Sequence, residues 1–249
     1  MFLPSTVRAT FPENWPDALK DLSVPAAEIE VDVNDVQMLG TFNGFVRQNT
    51  ETPQVHGFSK EFYQKIEAGL TDFPTGVMPR LGYCSWKGST IVHKPAKTLA
   101  DVMQTVTQND PRIGRALTCA IVAEESVTLH LRQWQTIPPS SEFRVFVKDG
   151  AVLGVSQYHW RESFSELLRN ASGYADLLQT LLLQVLPVLH LDECVIDICA
   201  HPEAAFVIEI NPLIKQTDFC LFGRNGGDDF DGSMRLFDGR DVVSVRPYS

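Results

Sequence analysis

Two short β-type runs, Val195-Ile196-Asp197-Ile198 and Val207-Ile208-Glu209-Ile210-Asn211-Pro212, carry acid where a buried strand should carry another aliphatic side chain. The five residues from His201 to Ala205 include a proline and few apolar groups, so the runs read as an antiparallel hairpin. The spacing predicts Ala200 opposite Phe206, which puts Asp197 directly opposite Glu209.

Strand side chains alternate, so Ile196, Ile198, Ile208 and Ile210 fall on one face in that register, and Asp197, Glu209 and Asn211 on the other. Cross-strand Cβ atoms are roughly 5 Å apart, and two carboxylates there repel unless one is protonated or a cation sits between them. Two carboxylates and an amide oxygen suit a hard divalent ion, so Asp197, Glu209 and Asn211 are candidate Mg2+ ligands. The alternative places both acids in solvent at a sheet edge.

At 249 residues with 44% hydrophobic content, the chain has material for one compact unit made of two approximate lobes, 1–128 and 129–249. A net charge of -10 argues against general nucleic-acid affinity, which needs clustered Lys and Arg. The longest apolar stretch, from Ala175 to Leu191, is interrupted by Asp176, Gln179, Gln184 and His190, so no membrane span is expected. No secretory signal is apparent, and five cysteines without a Cys-x-x-Cys pair point to a reduced, cytoplasmic setting.

The pattern predicts a helix from Glu13 to Leu22, a strand from Glu28 to Val33, a polar loop from Asn43 to His56, and a helix capped by Ser59 running to about Leu70. Next come a strand from Gly76 to Tyr83 and a polar loop from Cys84 to Thr90 that holds Lys87. Helices from Leu99 to Val106 and Ile113 to Ala123 are separated by Asn109-Asp110-Pro111. Strands are expected from Leu129 to Trp134, and on both sides of Asp149-Gly150, a hairpin signal. Helices from Glu162 to Arg169 and Tyr174 to Leu189 lead into the acidic hairpin. The stretch from Asp241 to Val245 adds an edge strand.

If Lys148 pairs with Ala151, Glu142, Arg144 and Gln157 share a face opposite Phe143, Val145 and Val147. Arg144 then either pairs with a neighbouring acid such as Glu142 or meets polyphosphate, which its planar fork of donors suits. Arg144, Arg132 and Lys87 beside an acidic metal site make a nucleotide triphosphate the leading ligand. Trp134 either packs or borders the nucleotide. No Walker loop, dinucleotide fingerprint or nucleophile elbow occurs. The six histidines do not cluster, and the stretch from Asn225 to Gly232 reads as a solvated turn.

Laid out in order, these blocks resemble the cell division cycle protein 123 family, a divergent branch of the ATP-grasp fold. The matching blocks are Met78-Pro79-Arg80-Leu81-Gly82-Tyr83 with Lys87, the strand from Leu129 to Trp134, the stretches from Glu142 to Val147 and Leu153 to Gln157, then Ile196-Asp197-Ile198, Ile208-Glu209-Ile210-Asn211-Pro212 and Thr217-Asp218. The resemblance implies an α+β ATP-grasp fold, two α/β lobes with antiparallel sheets enclosing a nucleotide cleft. It implies that Arg80, Lys87, Arg132, Trp134 and Arg144 contact ATP, that Asp197, Glu209 and Asn211 hold Mg2+, and that Arg144 and Lys87 are the candidate catalytic groups. Arg80 stands for a lysine of the family, Glu209 for an aspartate, and Gly88 for another aspartate. The sequence ends at Ser249, before the longer C-terminal region of the eukaryotic members, which assemble translation initiation factor 2. Two outputs follow: an ATP-dependent assembly or binding factor for a protein such as a translation factor, or a ligase that activates a carboxylate as acyl phosphate for attack by an amine or other nucleophile.

Overall fold

The computed structural model describes residues 5–44, 57–82, 84–87, 93–225 and 229–248. The chain forms two compact units: Met1–Glu13 with Pro25–Gln135, and Asn14–Val24 with Thr136–Ser249. The lobe boundary expected near residue 128 falls inside a strand, because that strand is the centre of the first unit's sheet.

The first unit holds a three-stranded antiparallel sheet of β1 (Ala26–Val31), β2 (Val77–Leu81) and β3 (Val127–Gln133), with β3 in the middle. Alternation sends Ile29, Val31, Val77, Leu81, Leu129 and Leu131 to one buried face. The helices α1 (Val33–Asn43), α2 (Lys60–Thr71), α3 (Leu99–Val106) and α4 (Pro111–Ala123) contribute Leu39, Ile66, Val102 and Leu117 to that core. Each start is fixed by a side-chain cap: Asp32 on α1, Ser59 on α2, the Thr98 and Asp101 capping box on α3, and Asp110 ahead of Pro111 on α4. Asp32 therefore ends β1 two residues short of Val33 and opens α1, an element absent from the sequence expectation. Residues 45–56 of the expected polar loop, and residues 88–90 of the loop holding Lys87, lie outside the described residues.

The second unit is built on a six-stranded sheet of β4 (Glu142–Lys148), β5 (Ala151–Gln157), β6 (Glu193–His201), β7 (Ala204–Asn211), β8 (Ser233–Phe237) and β9 (Val242–Pro247). The spatial order is β7-β6-β4-β5-β8-β9, and only the β5–β8 pairing is parallel. Two helices, α5 (Ser165–Arg169) and α6 (Ala171–Val185), lie between β5 and β6 in sequence; Leu178, Leu182 and Val185 of α6 pack with Phe143, Val145, Ile196 and Ile198. The helix expected from Glu13 to Leu22 is a single turn, Asp17–Lys20, preceded by Pro16. It joins this second core through Trp15 and Leu19, and Ser23 bridges Val207 while the Val207 amide donates to Leu22 O at 2.8 Å. Among the described residues no helix is long and apolar enough to cross a membrane.

Two bulges reset the registers that matter for the site. At the Asp149-Gly150 turn both residues have positive φ, +50° and +74°, as a type I′ hairpin turn requires, and Lys148 pairs with Ala151 as expected. A register shift after Val147 then sets Phe146 opposite Gly154, so Arg144 faces Ser156 and Gln157 moves to the Phe143 face. The Gln157 amide spends itself there on His159 O, Glu162 O and the Phe237 amide. In the acidic hairpin the turn is shorter than five residues: His201 pairs with Ala204 and Ala200 with Ala205. A shift between Asp197 and Ile198 absorbs Ile208, after which Asp197 pairs with Glu209. Val207, rather than Ile208, joins Ile196, Ile198 and Ile210 in the core.

Candidate functional site

One row of the second sheet crosses three strands as Arg144, Asp197 and Glu209. Asp197 is 1% exposed and Arg144 8% exposed, so this is a buried ion pair. Arg144 Nε donates to Asp197 Oδ1 and Nη2 to Oδ2, both at 2.8 Å, the two-pronged geometry that matches a guanidinium to a carboxylate. Arg144 Nη1 donates to Asp218 O at 3.1 Å, and the guanidinium lies 4.8 Å from the Tyr158 ring centroid. The sequence named Glu142 as an acid partner for Arg144; instead Glu142 pairs with His159, Oε2 to Nε2 at 3.2 Å.

Asn211 sits diagonally beside that row. Its Nδ2 donates to Asp197 Oδ2 at 3.1 Å and to Glu209 Oε1 at 3.3 Å, an orientation fixed by electrostatics because the amide oxygen would repel both carboxylates. The charge conflict between Asp197 and Glu209 is therefore met first from within the chain, by a guanidinium and an amide. Burial pushes the Asp197 carboxyl up to about 7, opposed by the Arg144 hydrogen bonds. Burial would lower Arg144, but Asp197 more than offsets it and the guanidinium is held above its ordinary range. We take the pair as ionic, since protonating Asp197 would leave a buried guanidinium without its counter-charge.

Among the described residues no group of three or more His, Cys, Asp or Glu side chains is arranged to hold a metal ion. The Asp197, Glu209 and Asn211 set is thus two carboxylates and an amide, with three of the carboxylate hydrogen-bonding positions on Asp197 already taken. Asn211 Oδ1 makes no hydrogen bond with a described residue, and Glu209 is only half-buried. Phe146, Phe222 and Phe230 form an aromatic cluster further along the same sheet face, with Phe230 centred 5.0 Å from Phe146 and 4.8 Å from Phe222. Residues 226–228 of the expected solvated turn lie outside the described residues; beyond them Phe230 joins this cluster, and Arg235 ties down Asp229 and Asp231 on either side of it.

The first unit gathers a different set. Arg80 on β2 is 5% exposed and stands opposite His130, while Arg132 lies two residues along β3 on the same polar face, opposite Met78. Arg80 makes long hydrogen bonds to Leu81 O and Gly82 O, 3.4 and 3.5 Å. His130 Nε2 meets Glu13 Oε2 at 2.8 Å. Trp134 lies just past β3, half-buried, with its amide donating to Gly76 O at 2.9 Å. Lys87 is exposed on a turn behind the buried Trp86, and its amide donates to Ser85 O. His130 escaped the sequence reading, although the alternation Leu129-His130-Leu131-Arg132 already placed it on the face of Arg132; its long-range partner Glu13 left no local signal. In the second unit, Tyr158 was missed for the same reason.

An α+β protein with two largely antiparallel sheets and a buried Arg–Asp pair beside an outward Glu-x-Asn defines the class. A family model described as D123 matches residues 43–226, and the chain belongs to that family. It is 27% identical over 189 residues to a Candida albicans protein named translation initiation factor eIF2 assembly protein, a match covering 66% of this chain and 52% of that one. It is 36% identical over 109 residues to cell division cycle protein 123 of Eremothecium gossypii, covering 41% of this chain and 29% of the other. The chain thus spans about half or less of the length of these relatives. The solved structure of Cdc123 from Schizosaccharomyces pombe matches with a TM-score of 0.72 at 22% identity, over 90% of this chain and 91% of that one, which establishes a shared fold.

Proposed function

We propose that this chain is an ATP- and Mg2+-binding assembly factor whose client is a translation initiation factor. The observation that carries the reading is the row Arg144, Asp197 and Glu209 with Asn211 beside it. Asp197 is spent mainly on orienting Arg144, whereas the half-buried Glu209 carboxylate and Asn211 Oδ1 are oxygen donors of the kind hard cations select. Glu209 and Asn211 would therefore hold Mg2+ directly, with Asp197 contributing through its remaining lone pair. Bound Mg2+ would supply charge neutralisation for a triphosphate, and Arg144 is the cationic group nearest to it on this face. Arg80, Lys87, Arg132 and Trp134 are the first unit's candidates for contact with the nucleotide. The client assignment rests on the names of the relatives, and five free, buried cysteines support a cytoplasmic setting.

Calorimetric titration of ATP with and without Mg2+ tests the reading. Magnesium-dependent binding that is lost in Glu209→Gln is the expected result, and absence of binding by the unaltered protein overturns it. Release of ADP only when a carboxylate and an amine are both supplied would replace the assembly reading with the ligase one.

A further inference from the structure

The second unit carries a cleft of about 620 Å³ that none of the residues discussed above as nucleotide or metal contacts line. Its lining combines the apolar Leu221, Phe237 and Val242 with Trp160, Arg161 and Arg240. Arg161 is exposed, with its guanidinium carbon over the Trp160 ring, 4.4 Å from the centroid. A guanidinium over an aromatic face still has N–H donors with which to meet a carboxylate. Arg240 is exposed at the turn between β8 and β9. In a chain whose net charge is -10, neither guanidinium makes a direct ion pair with a described carboxylate; the Asp238 carboxyl, held below its ordinary range by the Asp241 and Arg240 amides, also feels the Arg240 charge, but it does not line the cleft. The one acid in the lining, Asp218, is already engaged: its Oδ2 accepts from Trp160 Nε1 at 3.3 Å and its Oδ1 from the Cys220 amide at 2.8 Å.

We propose that this cleft binds an acidic peptide segment carrying one bulky apolar side chain, which packs on Leu221, Phe237 and Val242 while flanking carboxylates meet Arg161 and Arg240. Two cations in the lining of a largely apolar cavity select an anion with an apolar body. The inference deepens the assembly reading, since it gives the client a chemical class. Occupancy also has a route to Arg144, because Asp218 lines the cleft, where its side chain accepts from Trp160, and accepts from Arg144 through its carbonyl oxygen.

The test uses the full chain without nucleotide, so its failure leaves ATP binding untouched. A fluorescein-labelled pentapeptide of one phenylalanine between two pairs of glutamates is followed by polarisation. Saturable binding is expected, weakened at least tenfold by the pair Arg161→Glu and Arg240→Glu, and at least tenfold when alanine replaces the peptide's phenylalanine. Both arginines are exposed, and unchanged circular dichroism and thermal midpoint confirm that the variant folds. Equal binding of a lysine-flanked peptide, undiminished affinity in the double variant, or binding of free phenylacetate with none of the peptide would each overturn the proposal.

Discussion

Asp197 faces Glu209 across β6 and β7 even though the turn joining those strands is in a different register from the one that pairs them. The pairing is recovered by a single surplus residue, Ile208, and one consequence is geometric. Deleting Ile208 should leave Val207 opposite Ile198 and Glu209 opposite Asp197, so the variant is expected to unfold cooperatively in a thermal melt. Deleting Ile210 instead brings Asn211 to the core face and should abolish the cooperative transition.

Neutralising the two acids should have unequal effects. Asp197→Asn and Glu209→Gln each remove a charge at nearly constant volume. With Asp197 paired to a buried guanidinium, Asp197→Asn strands a charge and should cost about 3 kcal/mol in chemical denaturation. Glu209→Gln keeps a hydrogen-bonding oxygen at a half-buried position and should cost under about 1 kcal/mol.

Gly154 is required by packing. A Cβ built there would lie 2.4 Å from the Phe222 ring, so Gly154→Ala is expected to destabilise the protein by about 2 kcal/mol. Adding Phe222→Leu should recover part of that loss, and a double-mutant cycle measures the coupling.

The thiols should be inert in the folded protein. Burial pushes Cys194 and Cys220 up to about 12 and Cys199 up to about 11, and Cys84 and Cys119 are buried too. Ellman's reagent at about pH 8 should label none until denaturant is added, and then all five.

Asp101 gives an acid-side signature. Its carboxylate accepts from the Lys97 and Thr98 amides, at 3.0 and 2.9 Å, which holds it below its ordinary range. A carboxyl with a folded value below its unfolded one contributes stability above the unfolded value and loses it as pH falls through the folded one. Asp101→Asn should therefore flatten the fall in thermal midpoint below about pH 4, with little change in slope at higher pH.

Elements whose punctuation is local were legible from sequence. The α3 bounds, Leu99–Val106, are those expected, because Thr98 and Asp101 form a reciprocal cap; Ser59 and Asp149-Gly150 act by equally local chemistry. Bulges were not legible, since the surplus residues near Leu153 and Ile208 are chosen by packing against other strands and Phe222. The alternation in β6 and β7 still placed Asp197, Glu209 and Asn211 together. That Arg144 would claim Asp197 depended on β4 lying beside β6, a pairing no short-range pattern encodes.

Asn14–Val24 belongs to the sheet whose strands are supplied by the second half of the chain, with Trp15 and Leu19 in its core and Ser23 beside Val207. During synthesis that segment leaves the ribosome well before its partner strand β7. The first unit's sheet, complete by Gln133, can form while Trp15 and Leu19 still wait for the strands that bury them. A fragment beginning at Thr136 would carry every strand of the larger sheet and still expose the seat of Trp15 and Leu19 to water.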